Sequence, residues 1–175
     1  MIEHFFDTSA LQHRYVSGSY SRRVRTLLGR STSRARIAET TVLELPSALA
    51  TRCRANGWGL KKFDHLHAQF WDDLASDTLS VRAVGMREVK RAIHLIRFSG
   101  VANKRALKSS DALIAACAVE HALDIKQVVN FYTSDRALFF ALRDLNVFRT
   151  AMNLHLLGNT KDGSLPYCRV LSNRD

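Results

Sequence analysis

Val128-Val129-Asn130-Phe131-Tyr132-Thr133-Ser134-Asp135-Arg136-Ala137-Leu138 changes character twice. Val128 to Tyr132 is apolar, β-branched and aromatic, which suits an inner strand of a parallel sheet. Thr133-Ser134-Asp135 are turn and cap residues. Arg136 to Leu145 then takes up helical spacing. The stretch predicts strand, tight turn and helix, with a carboxylate at the strand's carboxyl end.

The same succession opens the chain. Ile2 to Phe6 reads as a short buried strand, followed by Asp7-Thr8-Ser9-Ala10-Leu11 and a helical region from Ser9 to Leu28, looped around Gly18-Ser19. Gly29 to Arg34 is a loop by composition, and Arg36 to Ala38 a second strand. A helix is predicted from Thr41 to about Asn56-Gly57, and an apolar stripe from Leu60 to Ala75 marks another that faces the core. Leu79-Ser80-Val81 is a third strand, Met86 to Phe98 a helix ended by Gly100, and Asn103 to Lys108 a basic connection. Ala112 to Leu123 is apolar on most sides and predicts a central, buried helix. Val147-Phe148-Arg149 is the last strand candidate. Residues after about Met152 carry Gly158-Asn159 and Asp162-Gly163 before the run Tyr167 to Leu171, and read as a turn-rich appendage ending in a strand or hairpin. Short strands alternating with helices predict an α/β fold with a mainly parallel sheet: one domain over residues 1–150 and an appendage over 151–175 packed on it.

Composition agrees with one globular domain: 175 residues, 46% hydrophobic and 24% charged. No apolar run nears the roughly 20 residues that span a bilayer, and the opening Met-Ile-Glu-His-Phe-Phe-Asp lacks a signal-peptide pattern, so a cytoplasmic protein is expected. Cys53, Cys117 and Cys168 form no CxxC pair, which argues against zinc knuckles and a disulfide framework. The 26 Lys and Arg against 16 Asp and Glu give a net charge of +10, which favours a polyanionic partner, either nucleic acid or an acidic protein.

Four acids sit where apolar runs give way to new segments: Asp7, Glu44, Asp111 and Asp135. Each has an ordinary explanation. Asp7 and Asp135 can cap helices, Thr41-Val42-Leu43-Glu44 matches a capping box, and Asp111 follows Ser109-Ser110 at a helix N-terminus. As a set they are harder to explain, because all four fall at the carboxyl edge of the predicted sheet, where ligands bind. Carboxylates brought together repel, and a hard divalent cation between them relieves that cost. Pro46 disturbs the reading at Glu44, since a proline there loses a helical hydrogen bond unless the helix start slips toward it.

At these residues the chain resembles the PIN-domain nucleases, in particular the VapC-like toxins of toxin–antitoxin pairs. The resemblance runs through Phe5-Phe6-Asp7-Thr8-Ser9-Ala10-Leu11, Glu39-Thr40-Thr41-Val42-Leu43-Glu44-Leu45, Ser110-Asp111-Ala112-Leu113-Ile114-Ala115-Ala116 and Thr133-Ser134-Asp135-Arg136-Ala137-Leu138, in the family's order. It implies a three-layer α/β/α sandwich and an endoribonuclease dependent on Mg²⁺ or Mn²⁺. Asp7, Asp111 and Asp135 would be metal ligands, Glu44 a ligand or the group orienting the attacking water, and Ser9, Thr133 and Ser134 supporting hydroxyls. Arg14, Lys104, Arg105, Lys108 and Arg136 would guide RNA. An acidic antitoxin and a homodimer are the implied partners. Two other readings stand beside this one: a non-catalytic PIN-like module that binds nucleic acid or protein, and a structure-specific DNA nuclease. His65 and His67 occupy alternate helix positions and are read as structural or surface residues.

Overall fold

A computed structural model describes residues 1–18, 20–102, 106–145, 150–157 and 167–168. The chain begins with β1 (Ile2–Phe6), α1 (Thr8–Leu11), a 3₁₀ turn (Gln12–Arg14) and α2 (Ser21–Leu28). Next come β2 (Ser33–Ala38), α3 (Glu39–Ala55), α4 (Leu60–Ala75), β3 (Ser80–Arg82) and α5 (Met86–Arg97), which runs into a π-helical turn (Phe98–Ala102). It continues with α6 (Ser109–Ile125), β4 (Val129–Thr133), α7 (Arg136–Arg143), β5 (Met152–Leu156) and β6 (Tyr167–Cys168).

The sheet order is β3-β2-β1-β4-β5-β6. The first five strands are parallel, and β6 pairs antiparallel with β5. Alternation of side chains in β1 separates two cores. Phe5 and Phe131 stack at 6.3 Å and face α5, α6 and α7; Phe6 and Tyr132 stack at 4.9 Å and face α2, α3 and α4. Helices cover both faces, which gives the expected three layers. Burying each of these phenylalanines contributes about 2–3 kcal/mol. The alanines of α6 (112, 115, 116, 118 and 122) are all buried and let that helix lie close to its neighbours.

Three expectations are corrected. The sheet does not end near residue 150, because β5 pairs in parallel with β4 from Val129↔Met152 to Thr133↔Leu156. β5 itself, Met-Asn-Leu-His-Leu, begins just past that expected boundary and was too short an alternating run to stand out. The strand candidate Val147-Phe148-Arg149 lies outside the described residues. Second, α3 starts at Glu39, so Glu44 lies in its second turn and Pro46 inside it. The helix keeps its course although Pro46 cannot donate to the carbonyl of Val42. Third, Gly100 does not stop α5 at Phe98, since a π-helical turn carries through it. The Asn56-Gly57 stop holds, with Gly57 at φ 66°.

Candidate active site

The order of strands reverses at β1. From there the chain builds outward through β2 and β3 on one side, then returns to add β4 and β5 on the other. Such a switch point leaves a crevice at the carboxyl ends of the two central strands. Asp7 follows β1 and Asp135 follows β4, joined across the crevice by the Asp7 amide donating to the Tyr132 carbonyl at 2.9 Å.

Asp7 is the deepest of the acids, 3% exposed. All its side-chain hydrogen bonds fall on Oδ2, from the Ser9 amide at 3.3 Å, the Ser9 hydroxyl and the Thr133 hydroxyl at 2.8 Å. Burial pushes its pKa above the ordinary value, and the Ser9 and Thr133 bonds oppose that shift. Its Oδ1 accepts no hydrogen bond among the described residues.

Ser9 joins the two strand ends. Its hydroxyl accepts from the Ser134 amide at 2.8 Å and the Asp135 amide at 3.2 Å, and lies 3.2 Å from the Thr133 hydroxyl. Thr133 also accepts from the Asp135 amide at 2.9 Å. The turn after β4 is thus clamped to the turn after β1. Asp135 caps α7, its Oδ1 accepting from Ala137 at 2.7 Å and Leu138 at 3.1 Å.

Glu44 arrives from α3. The expected capping box is absent: Glu44 Oε2 accepts from the Thr8 hydroxyl at 2.6 Å, and the buried Thr41 hydroxyl has no partner among the described residues. Thr8 therefore aims Glu44 at the crevice, a role the sequence did not disclose, because nothing local links positions 8 and 44.

Asp111 stands in the first turn of α6 and accepts no hydrogen bond among the described residues. Its pKa is pushed up to about 6 by burial, then by the charges of Asp7 and Asp135, with a smaller push from Glu44; Lys108 opposes them. All four acids thus share one electrostatic neighbourhood.

The donor chemistry fits a hard divalent cation, since the four acids and the Ser9 and Thr133 hydroxyls beside them present oxygen atoms. The oxygens are not yet gathered: among the described residues, no three His, Cys, Asp or Glu side chains stand close enough to hold an ion together. Asp7 Oδ2 and Asp135 Oδ1 are tied to their turns.

The basic residues divide. Lys108 is exposed at the start of α6 and acts on Asp111, and Arg136 is exposed on the first turn of α7. Arg14 instead makes a two-point ion pair with Asp73 of α4, at 3.0 and 2.9 Å, which commits its guanidinium to that helix. Lys104 and Arg105 lie outside the described residues. His13, which carried no motif, sits 3.1 Å from the Ser134 hydroxyl, and burial, then the charge of Arg52, lowers its pKa. His65 and His67 lie along α4, with Gln69 and Trp71 as their partners.

A mainly parallel sheet with helices on both faces is the PIN-like three-layer α/β/α sandwich that was expected. Solved structures with this fold include VapBC2 from Rickettsia felis bound to a DNA fragment from its promoter, with a TM-score of 0.58 and 12% identity over 87% of this chain and 98% of that one. FitAB bound to the IR36 DNA fragment gives 0.58 and 18%, over 88% and 94% of the two chains. FitAcB from Neisseria gonorrhoeae gives 0.56 and 20%, over 81% and 92%. This chain thus shares its fold with the VapBC2 and FitAB structures. No protein-family model matches the sequence, and no curated protein does. Among the described residues, no helix is long and apolar enough to cross a membrane.

Proposed function

We propose that this chain is an endoribonuclease dependent on Mg²⁺ or Mn²⁺ and acts as the toxin of a toxin–antitoxin pair. The observation that carries this reading is the mutual influence of Asp7, Glu44, Asp111 and Asp135 at the β1/β4 switch point. The VapBC and FitAB folds among the neighbours support the toxin assignment.

In this reading Asp7, Asp111 and Asp135 would hold the ion. A bound divalent ion would polarise the scissile phosphate and lower the pKa of a water. Glu44, fixed by Thr8, would orient an attacking water. The Ser9–Thr133 clamp keeps the two ligand-bearing turns at constant separation. Lys108 and Arg136 draw the RNA backbone to an otherwise repulsive acidic edge. The +10 charge favours both RNA and an acidic antitoxin. A homodimer in a cytoplasmic setting completes the proposal.

The test is cleavage of labelled RNA in Mg²⁺ or Mn²⁺ by wild type, Asp7→Asn and Asp111→Asn. Each substitution is expected to reduce the rate by about 10²-fold or more, the scale for an essential catalytic group, and EDTA to abolish it. Equal, EDTA-insensitive cleavage by all three proteins would overturn the proposal. A non-catalytic binding role is favoured by one feature, the engagement of Asp7 Oδ2 and Asp135 Oδ1 in structural bonds. RNA binding without metal-dependent cleavage would favour that role.

A further inference from the structure

Of the Phe, Trp and Tyr side chains described, only Phe98 and Trp71 are exposed, at 49% and 51%. The one ring neighbour of Phe98 among the described residues is His94, a turn earlier on α5, stacked on it at 5.3 Å and 8°. His94 is exposed as well. One face of Phe98 is thus backed by a ring, and no ring covers the other. Phe98 also opens the π-helical turn, a rare local widening that recurs at functional sites.

Two ion pairs fix its place. Arg87 bonds Asp124 at 2.8 Å and Arg91 bonds Glu120 at 2.8 Å, so α5 and α6 run antiparallel. Counted on from that pairing, Phe98 comes level with Leu113, about 3 Å of helix rise from Asp111. At about 100° per residue, Phe98 falls within roughly 20° of both Arg87 and Arg91, on the side of α5 that meets α6. Exposed Ile93 and Met86 are turned about 140° and 120° away from it, and exposed Val101 lies between the two sides. Phe98 therefore stands at the α6 flank of the acidic edge, while the main apolar row of α5 faces elsewhere. Its exposed companions are cationic: Arg97 beside it and Lys108 at the start of α6. Arg97 has no ion-pair partner among the described residues, and Lys108 acts on Asp111.

A ring backed on one side, uncovered on the other and flanked by cations suits single-stranded nucleic acid, which stacks a base on the ring and lays phosphates on the charges. A protein-docking face would gather apolar neighbours round the ring, and here most of them lie on another side of the helix. We propose that Phe98, backed by His94, is a stacking platform for a base of single-stranded RNA next to the acidic edge, with Lys108 and Arg97 holding the adjoining phosphates. Stacking accepts any base, so the platform sets where the strand lies and not which sequence is bound. The choice of RNA rests on the function proposed above, since the ring itself accepts a base of either nucleic acid.

Fluorescence anisotropy of the full chain in EDTA, where metal-dependent cleavage is silenced, tests it. The probes are a single-stranded RNA of about 12 nucleotides, the same strand as DNA, and an abasic ribose-phosphate strand of equal length. Proteins to compare are wild type, Phe98→Ala, Phe98→Tyr and Trp71→Ala, the last an exposed-aromatic control on α4. Phe98→Ala is expected to bind the RNA about tenfold or more weakly, the scale of one lost base stack, with its salt dependence unchanged because no charge is removed. Phe98→Tyr and Trp71→Ala are expected to match wild type, and the abasic strand to bind all four proteins alike. No RNA binding by wild type, undiminished binding by Phe98→Ala, an equal loss in Trp71→Ala, an equal loss on the abasic strand, or tighter binding of the DNA than of the RNA would each overturn the proposal. RNA bound through Phe98 without metal-dependent cleavage would overturn the nuclease reading and leave the platform standing. Cleavage with Phe98→Ala binding as tightly as wild type would do the reverse.

Discussion

Ser9 shows how much one side chain can decide. Its hydroxyl serves Asp7, Thr133 and the amides of Ser134 and Asp135 at once, so it sets the separation of the two acid-bearing turns. Ser9→Ala is expected to cost about 1–3 kcal/mol, because it strips a donor from a buried carboxylate and an acceptor from two amides. Cleavage should fall about 10–100-fold, as for loss of a group that orients ligands; a melting curve and a rate measurement check both. Asp111 makes a prediction of opposite sign. Its folded pKa of about 6 exceeds its ordinary 3.8, so the native state binds the extra proton between about pH 4 and 6, and stability falls as pH rises through that window. In EDTA, Asp111→Asn should melt above wild type at pH 7, with the gap closing by pH 4. The carboxylate is half-exposed and screened, so the gain is about 1 kcal/mol, or about 2–4 °C.

Among the elements, α5, α6 and β3 are joined by an ion-pair network that lies apart from the proposed chemistry. Arg82 bonds Glu88 at 2.8 Å and Asp124 at 2.7 Å; Arg87 bonds Glu120 and Asp124, and Arg91 bonds Glu120 at 2.8 Å. Burial works to raise the pKa of Glu88 and Glu120, but hydrogen bonds from the arginines hold both below the ordinary 4.5. A depressed carboxylate stabilises the fold above the unfolded-state pKa and loses that contribution as pH falls through the folded value. Glu120→Gln should therefore lower the melting temperature at pH 7, and the difference from wild type should shrink below about pH 4.5. The elements themselves were largely legible. The run Val128 to Tyr132 and the small-residue helix after Asp111 announced β4 and α6, because both are buried on nearly every side. Glu44 was not legible: a local capping box and a distant Thr8 offer its carboxylate similar bonds, and only the packing of α1 on α3 decides between them. β5 was missed for a related reason, since a strand of five residues owes its existence to the partner β4 rather than to its own pattern.

At the scale of the molecule, β5, in the segment expected to pack as an appendage, completes the core. Met152, Leu154 and Leu156 are 1%, 5% and 6% exposed and pack on the face that carries Phe131 and Phe139. A chain ending at residue 150 should expose that surface and lose cooperative unfolding, as followed by circular dichroism; a truncated chain as stable as the whole would contradict this placement. The crevice depends on the same architecture, because β1 and β4 diverge from a shared switch point only while strands flank both. The central claim, that four acids from separate elements form one metal site there, is tested most directly by titrating Mn²⁺ into the full chain and its Asp7→Asn and Asp111→Asn variants. The account predicts saturable binding to wild type, weakened about tenfold or more in each variant, as expected from loss of a charged ligand. Equal Mn²⁺ affinity in all three proteins, or no binding to wild type, would contradict it.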